Sequence, residues 1–152
     1  MRGQVSMAVL VLLPLVAMPV RASNPDDKPV DQDTITALEA RISQAQPREQ
    51  CYLYAQLIHQ MTEFSLKLYA AGNFDKADAM LKQIQTLAHK VHMTVNDDNK
   101  RLKNAEILLR HTAFRLNEML HSSNYEDRPL VAQTLAQVNQ ADNAAMLEVF
   151  KK

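Results

Sequence analysis

The sequence predicts an all-α fold, an antiparallel bundle of four main helices preceded by a short N-terminal helix. Two observations lead to this prediction. First, beyond residue 22 the chain contains one glycine and four prolines, and the prolines stand before or at the start of helical segments. Glycine and proline supply turns and interrupt helices, so such a chain has few places to reverse a strand. Second, apolar residues recur every three or four positions, which is the period of an amphipathic helix.

The first 22 residues have the pattern of a secretory signal peptide. Arg2 precedes an apolar run from Met7 to Val20, and Ala22 offers a small side chain at the cleavage position. The run is short and contains two prolines, which disfavours a stable membrane anchor. We expect a mature chain that begins near Ser23 and is periplasmic or extracellular. The alternative is an uncleaved N-terminal anchor.

Composition bounds the rest of the chain. After residue 22 there are 15 basic and 17 acidic residues, so the surface is nearly neutral. It lacks the positive field that nucleic acid or anionic lipid requires, and neither is an expected partner. A chain of this length supports one core. We therefore expect a signal peptide at 1–22, a disordered polar linker at 23–33 and a single helical domain at 34–152.

Cap residues and prolines delimit the first two helices. Asp33 or Thr34 is the expected N-cap of the short helix, and Pro47 stands where the first turn of the next helix tolerates proline. That second helix is expected to end at Gly72-Asn73, which can adopt the left-handed conformation that stops a helix. The short helix should bury Ile35, Leu38, Ile42 and Ala45, and the second should bury Cys51, Tyr54, Leu57, Ile58, Met61, Phe64, Ser65 and Leu68.

The middle of the chain, residues 74–119, has two interpretations. Apolar steps of three and four continue through it without a slip, as in one long helix. In such a helix Asp97 and Arg101 form a favourable pair four residues apart. A new helix starting there would instead place Lys100, Arg101 and Lys103 at its positive end, which the helix dipole disfavours. Local electrostatics therefore favour one fused helix.

Two other features favour a break. Asn96-Asp97-Asp98-Asn99 is a run of turn-forming residues. Apolar residues between 105 and 120 also cover nearly every side of the helix, so they need neighbours that a rod lacks and a bundle supplies. We therefore predict main helices at 47–71, 74–96, 98–121 and 128–150, with a helix fused across Asn96–Asn99 as the alternative. The last helix should begin near Asp127-Arg128-Pro129 and bury Val131, Leu135, Val138, Ala145 and Val149.

One hairpin resembles a tetratricopeptide repeat. The inner apolar, glycine, aromatic, alanine and second-helix positions of that repeat are matched by Leu68, Gly72, Phe74, Ala77 and Leu81. The resemblance covers only residues 64–84. An array of such repeats would imply a peptide-binding groove. However, the positions that follow the matched ones at the repeat period of about 34 residues do not carry the required glycine and alanine. We interpret the segment as a helix-turn-helix hairpin and assign no family.

His89 and His92 are the candidate metal ligands. They are three residues apart on a helix, so both imidazoles project to one side, and in an exported protein such a pair suits copper or zinc. A solvated polar face explains the pair equally well. His59 and Glu63 are further candidate ligands. Glu118 and His121 have the carboxylate–histidine spacing of di-iron bundles, but the second copy that such sites need is missing from the sequence.

Other reactive residues have simpler explanations. Cys51 is the only cysteine, so no intramolecular disulfide exists, and its position on the inner face predicts burial, with an intermolecular disulfide as the alternative. No Cys-x-x-Cys-His motif for covalent haem occurs, and no glycine-rich loop that could build an oxyanion site. No cofactor is therefore predicted. A basic patch is expected to be a charged helical face paired with Glu106 and Asp97; it comprises Lys100, Arg101, Lys103, Arg110 and Arg115.

These observations predict an exported, non-enzymatic helical protein that acts by protein–protein interaction. A scaffold, an adaptor, a chaperone-like factor and self-association are all compatible with it. Five methionines provide adaptable apolar surface for such contacts or fill the core: Met61, Met80, Met93, Met119 and Met146. The alternative is a small periplasmic metal- or cofactor-binding bundle that uses His89 and His92. A hydrolase is a third hypothesis, which no motif supports.

Overall fold

A computed structural model describes residues 30–151. Within this range the chain forms five α-helices and no β-strand: α1 Gln32–Gln44, α2 Pro47–Ala70, α3 Phe74–Thr94, α4 Leu102–Ser122 and α5 Arg128–Val149. The predicted all-α bundle of four main helices and a short N-terminal helix is confirmed. The predicted signal peptide and most of the predicted linker lie outside the described residues. None of the helices described is both long enough and apolar enough to cross a bilayer.

Helix α1 begins two residues before the predicted domain boundary at Thr34. Its N-cap is Asp31, whose carboxylate accepts a hydrogen bond from the Thr34 N–H at 2.8 Å. The expected caps, Asp33 and Thr34, were therefore wrong, because an aspartate two or three residues earlier accepts from the free amides at the helix start. Ile35 and Ile42 are buried as predicted.

The turn between α2 and α3 has the predicted left-handed glycine. Gly72 has a φ of 79°, and its N–H donates to the carbonyl of Tyr69 at 3.0 Å. The Asn73 N–H donates to the carbonyl of Leu68 at 2.9 Å. These two bonds form the Schellman motif, which satisfies the last carbonyls of a helix and reverses the chain within a few residues.

The alternative of one helix fused across Asn96–Asn99 is wrong, since α3 ends at Thr94 and α4 begins at Leu102. Asparagine amides stabilise the loop: Asn99 Oδ1 accepts from the Asn96 N–H at 2.8 Å, and Asn96 Oδ1 accepts from the Asp98 N–H at 3.0 Å. Such side-chain bonds compete directly with helix formation. The cations at the start of α4 interact with α2 instead, which removes the electrostatic preference for a continuous helix.

The four main helices form a ring in which α3 and α4, although consecutive, lie at opposite corners. The neighbouring pairs are α2 with α3, α3 with α5, α5 with α4, and α4 with α2. The Lys100 N–H donates to the Arg48 carbonyl at 2.7 Å, which places the start of α4 beside the start of α2. At the other end, the Tyr69 hydroxyl donates to the Asp127 carboxylate. Consecutive helices are therefore antiparallel, as predicted, whereas the neighbours α2 and α4 are parallel, as are α3 and α5.

The centre of the ring is packed with aliphatic side chains. Those that are fully buried include Ile58, Met61, Leu81, Ile84, Leu109, Leu116, Met119, Val131 and Val138. Fully buried alanines alternate with them and allow the helices to approach closely: Ala55, Ala77, Ala88, Ala105, Ala141 and Ala145. Each large aliphatic side chain contributes about 2 kcal/mol through removal from water, so the bundle is held mainly by this core.

Gly72 provides a test of the turn. A Cβ added there meets no heavy atom within 4 Å, so only the backbone conformation opposes a side chain. We expect Gly72→Ala to lower the free energy of unfolding by about 1 kcal/mol in urea titrations. Gly72→Asn, which tolerates positive φ better, should lose less. Equal stability of wild type and Gly72→Ala would show that the turn does not need this conformation.

Candidate functional site

A groove runs between α1 and α4, with α2 as its floor; we call it the α1–α4 groove. Its larger part is a cavity of about 650 Å³, walled by Leu38 of α1, Ile107 and Leu108 of α4, and floored by Tyr52 and His59 of α2. A second cavity of about 410 Å³ continues it toward the start of α4 and shares Arg41 and Tyr52 with the first. Both volumes lie in the range of ligand-binding pockets.

The groove exists because α1, with 13 residues, is too short to cover the junction between the longer helices α2 and α4. α1 contacts α2 and no other main helix within the described residues. Since α2 and α4 are neighbours, their outer faces leave a furrow between them, and α1 occupies one side of it only. The furrow stays open along α4.

The face of α4 that lines the groove through Ile107 carries apolar side chains that the bundle leaves exposed. Ile107 is 51 % exposed and Phe114 is 58 % exposed. They are seven residues apart in the sequence and so lie about two turns apart on one face of the helix. The expectation that this apolar segment would be surrounded by neighbours was wrong for both residues. Leu108 is half-buried and lines the groove.

One end of the groove is cationic. Arg41, Lys100 and Arg101 line the smaller cavity together with a single carboxylate, that of Glu49. Lys100 Nζ lies 2.9 Å from Glu49 Oε1, and the hydrogen bond from Lys100 lowers the pKa of the Glu49 carboxyl. Among residues 30–151 no carboxylate oxygen lies within 4.0 Å of the guanidinium of Arg41 or of Arg101.

Arg101 is held in an unusual conformation. Its φ of 57° makes it the non-glycine residue with positive φ in the described chain. Its guanidinium carbon lies 3.7 Å from the centre of the Tyr52 ring, a cation–π contact. This contact and the Lys100 backbone bond to α2 offset the cost of the left-handed backbone, roughly 1 kcal/mol. Sequence reasoning missed Tyr52 and Arg41, because their roles depend on which helix α4 lies beside.

A polar cluster lies at the middle of the α2–α4 contact. The Thr112 hydroxyl donates to the Leu108 carbonyl at 2.7 Å, so its oxygen accepts a hydrogen bond from His59 Nδ1 at 3.1 Å. The His59 and His111 rings are 5.1 Å apart. Burial lowers the pKa of His59, and the positive charges of His111 and Arg115 act in the same direction, whereas Glu63 opposes them. His59 is therefore neutral near pH 7.

The same contact carries an ion pair. Arg115 of α4 donates from Nε to Glu63 Oε1 at 2.7 Å and from Nη2 to Glu63 Oε2 at 3.1 Å. It also donates to Glu118 of its own helix. The hydrogen bond from Arg115 lowers the pKa of Glu63. Because both Glu63 oxygens are engaged by Arg115, Glu63 serves to join α2 to α4, and its earlier role as a candidate ligand loses support.

The predicted metal ligands His89 and His92 lie on α3, away from the groove. Both are exposed, and their ring centres are 6.5 Å apart. Within the part of the chain that the structure describes, no group of three His, Cys, Asp or Glu side chains is arranged to hold a metal ion. The pair stays a prediction that rests on sequence spacing alone. His121, the partner proposed for Glu118, bonds instead to the Asn117 carbonyl at 2.7 Å.

Candidate nucleophiles near the groove are disabled by their surroundings. Cys51 is 3 % exposed, which confirms its predicted burial, and desolvation raises its pKa to about 11. The Thr112 hydroxyl is fully buried and donates its proton to a backbone carbonyl. A thiol that stays protonated and a hydroxyl closed to substrate are poor starting points for nucleophilic catalysis.

Some residues of the basic patch and some of the methionines have structural roles, and the others are exposed. Arg110 pairs with the buried carboxylate of Glu106, as predicted, and Arg115 pairs with Glu63. The predicted Asp97–Arg101 pair required a continuous helix and is not formed. Met61, Met80 and Met119 fill the core, whereas Met93 is 67 % exposed.

The lowered pKa of His59 predicts a pH dependence of stability. The unfolded chain binds a proton near the ordinary value of 6.5 and the folded chain only at lower pH, so stability falls as the pH drops below about 6.5. Urea unfolding at about pH 7.5 and about pH 5.5 should show this loss, and His59→Gln should reduce it. His89→Gln, on an exposed site, is the matched control. An equal loss in wild type and His59→Gln would contradict the assignment.

The chain was also compared with known proteins. It matches no protein-family model, no curated protein and no solved structure. The α1–α4 groove, where an exposed apolar wall, a polar floor and a cationic end meet, is the candidate site of this protein.

Proposed function

We propose that the chain is an exported, non-enzymatic helical protein that binds a segment of a partner protein in the α1–α4 groove. The observation that carries the proposal is the exposed apolar face of α4: Ile107 lines the groove, as Leu38 does, and Phe114 lies two turns further along the same face. An apolar stripe with spacing of a helical face suits a partner helix laid into a groove. The signal-like pattern of residues 1–22 supports export.

The position of these apolar residues supports binding over random exposure. Single exposed apolar side chains are common on soluble proteins, whereas those that border a concave surface are typical of interaction sites. Other apolar side chains are also exposed without lining either cavity: Phe74, Met93, Phe114, Tyr125, Leu147 and Phe150. Ile107, in contrast, forms part of the groove wall.

The groove floor also suits a polar backbone or side chain. The amide oxygens of Gln56 and Gln60 are buried and have no hydrogen-bond donor among the described residues. Both residues line the larger cavity. A buried oxygen without a hydrogen-bond donor lowers stability by on the order of 1–3 kcal/mol. If the Gln56 and Gln60 amides turn toward the groove, N–H donors of a bound segment would satisfy these oxygens and increase the affinity. The buried Cys51 and Thr112 support a role in binding over one in catalysis.

Photo-cross-linking in the native cells tests the proposal. Replacement of Ile107 by benzoylphenylalanine should give one discrete cross-linked product that mass spectrometry identifies as a different protein. Lys82→benzoylphenylalanine, on the exposed face of α3 at the opposite corner of the ring, is the matched control and should not give it. Cross-links only between two copies of the chain, or the same products at both positions, would contradict the proposal.

Truncation of the wall separates binding from folding. Ile107→Ser and Phe114→Ser together should abolish capture of that product, because they remove the exposed apolar side chains from this face of α4. Since both side chains are more than half exposed, the free energy of unfolding should change by only about 0.5 kcal/mol per site. A large loss of stability would show that these residues serve the core.

A further inference from the structure

The cationic end of the groove specifies the charge of the partner. We propose that the smaller cavity binds carboxylate groups, so that the segment held in the α1–α4 groove is an acidic amphipathic helix. This inference rests on the proposed function and adds the chemistry of the partner. It is carried by three cationic side chains and one carboxylate around a cavity of about 410 Å³.

The local charge contrasts with that of the whole chain. The chain has a formal net charge of zero, with 17 basic and 17 acidic residues. The residues that line the two cavities nevertheless carry an excess of positive charge, because Arg41, Lys100 and Arg101 face only Glu49. Lys100 neutralises Glu49 at 2.9 Å, which leaves two guanidinium groups for a ligand. Electrostatic complementarity of this kind selects partners by charge.

The two arginines are suited to carboxylates. A guanidinium offers a fork of N–H donors that matches a carboxylate, and such charge-assisted bonds are stronger than neutral ones. The stacking of Arg101 on Tyr52 holds one fork in place before binding, which lowers the entropy lost on association. The α4 N-terminus adds to the positive potential, because its first turn contains no acidic residue.

The neighbouring lining explains why the ligand is expected to be amphipathic. Ala45 and Leu53 border the cationic cavity, and Leu38, Ile107 and Leu108 border the larger one. A helix with apolar side chains on one face and carboxylates in a terminal turn would contact both regions at once. A highly acidic segment without apolar residues would leave the α4 wall uncovered.

Three synthetic peptides test the inference with the mature chain. Each is an amphipathic helix of about four turns with leucines on one face; the first and last turns carry glutamates, glutamines or lysines. Fluorescence anisotropy should show the glutamate peptide binding at least about tenfold more tightly than the glutamine peptide. The lysine peptide should bind weakest. Raising the salt from about 0.05 to about 0.5 M should weaken the glutamate peptide most.

Variants assign the effect to the cavity. Arg41→Glu should lower the affinity for the glutamate peptide by about tenfold. Lys103→Glu, on an exposed α4 site outside the cavity, should change this affinity little. Arg101→Asn, which tolerates positive φ, provides a second variant if Arg41→Glu is poorly folded. Loss of the preference for glutamate in either variant supports the inference.

The outcomes separate this inference from the proposed function. Equal binding of all three peptides, or tightest binding of the lysine peptide, would overturn the acidic partner while the groove proposal stands. The same loss in Lys103→Glu as in Arg41→Glu would overturn the assignment to this cavity. Absence of binding by all three peptides would contradict the acidic helix and the groove proposal together.

Discussion

The connection between α3 and α4 determines the architecture of this protein. The link between α2 and α3 has three residues and is closed by the hydrogen bonds of the Gly72 turn, so it is too compact to cross the ring and these two helices are neighbours. The link between α3 and α4 has seven residues and can span roughly 23 Å, whereas the diagonal of a four-helix ring is about 13 Å. The longer loop therefore allows α4 to start at the opposite corner, beside α2.

The parallel pairs are then fixed by polar contacts across each interface. His59 bonds to Thr112 at 3.1 Å between α2 and α4, and Gln85 Nε2 donates to Thr134 Oγ1 at 2.9 Å between α3 and α5. In both pairs the threonine hydroxyl also donates to its own helix. Buried polar groups of this kind fix register, since a shifted pairing would leave them unsatisfied. Apolar burial supplies most of the stability, and these contacts select one arrangement.

The candidate site is a consequence of that arrangement. Because α2 and α4 are neighbours, α1 partly covers their junction without filling it. The cations at the start of α4 then contact Tyr52 and Glu49 of α2. The same charges, considered on α4 alone, were an argument against a helix starting there. Their interaction with α2 reverses that argument and gives the groove its positive end.

The sequence predicted local structure well and tertiary proximity poorly. The Gly72 turn, the Pro47 start and the burial of Ile58 and Met61 follow from conformational preference and helical periodicity, which are properties of neighbouring residues. The side-by-side placement of His59 and His111, and of Arg101 and Tyr52, depends on which helices meet, and periodicity does not encode this. The sequence shows Ile107 and Phe114 as apolar residues outside the three-and-four spacing that marks the buried face of α4. It could not show whether the face they occupy is covered by a neighbour or open.

The adjacency of α2 and α4 is the claim on which the groove and its charge depend, and it can be measured by nuclear Overhauser effects in solution. The account predicts effects between the ring protons of His59 and His111, whose centres are 5.1 Å apart, and between the Tyr52 ring and the Arg101 side chain. Absence of both, together with effects from His59 or Tyr52 to α5, would place α2 beside α5 and contradict the account.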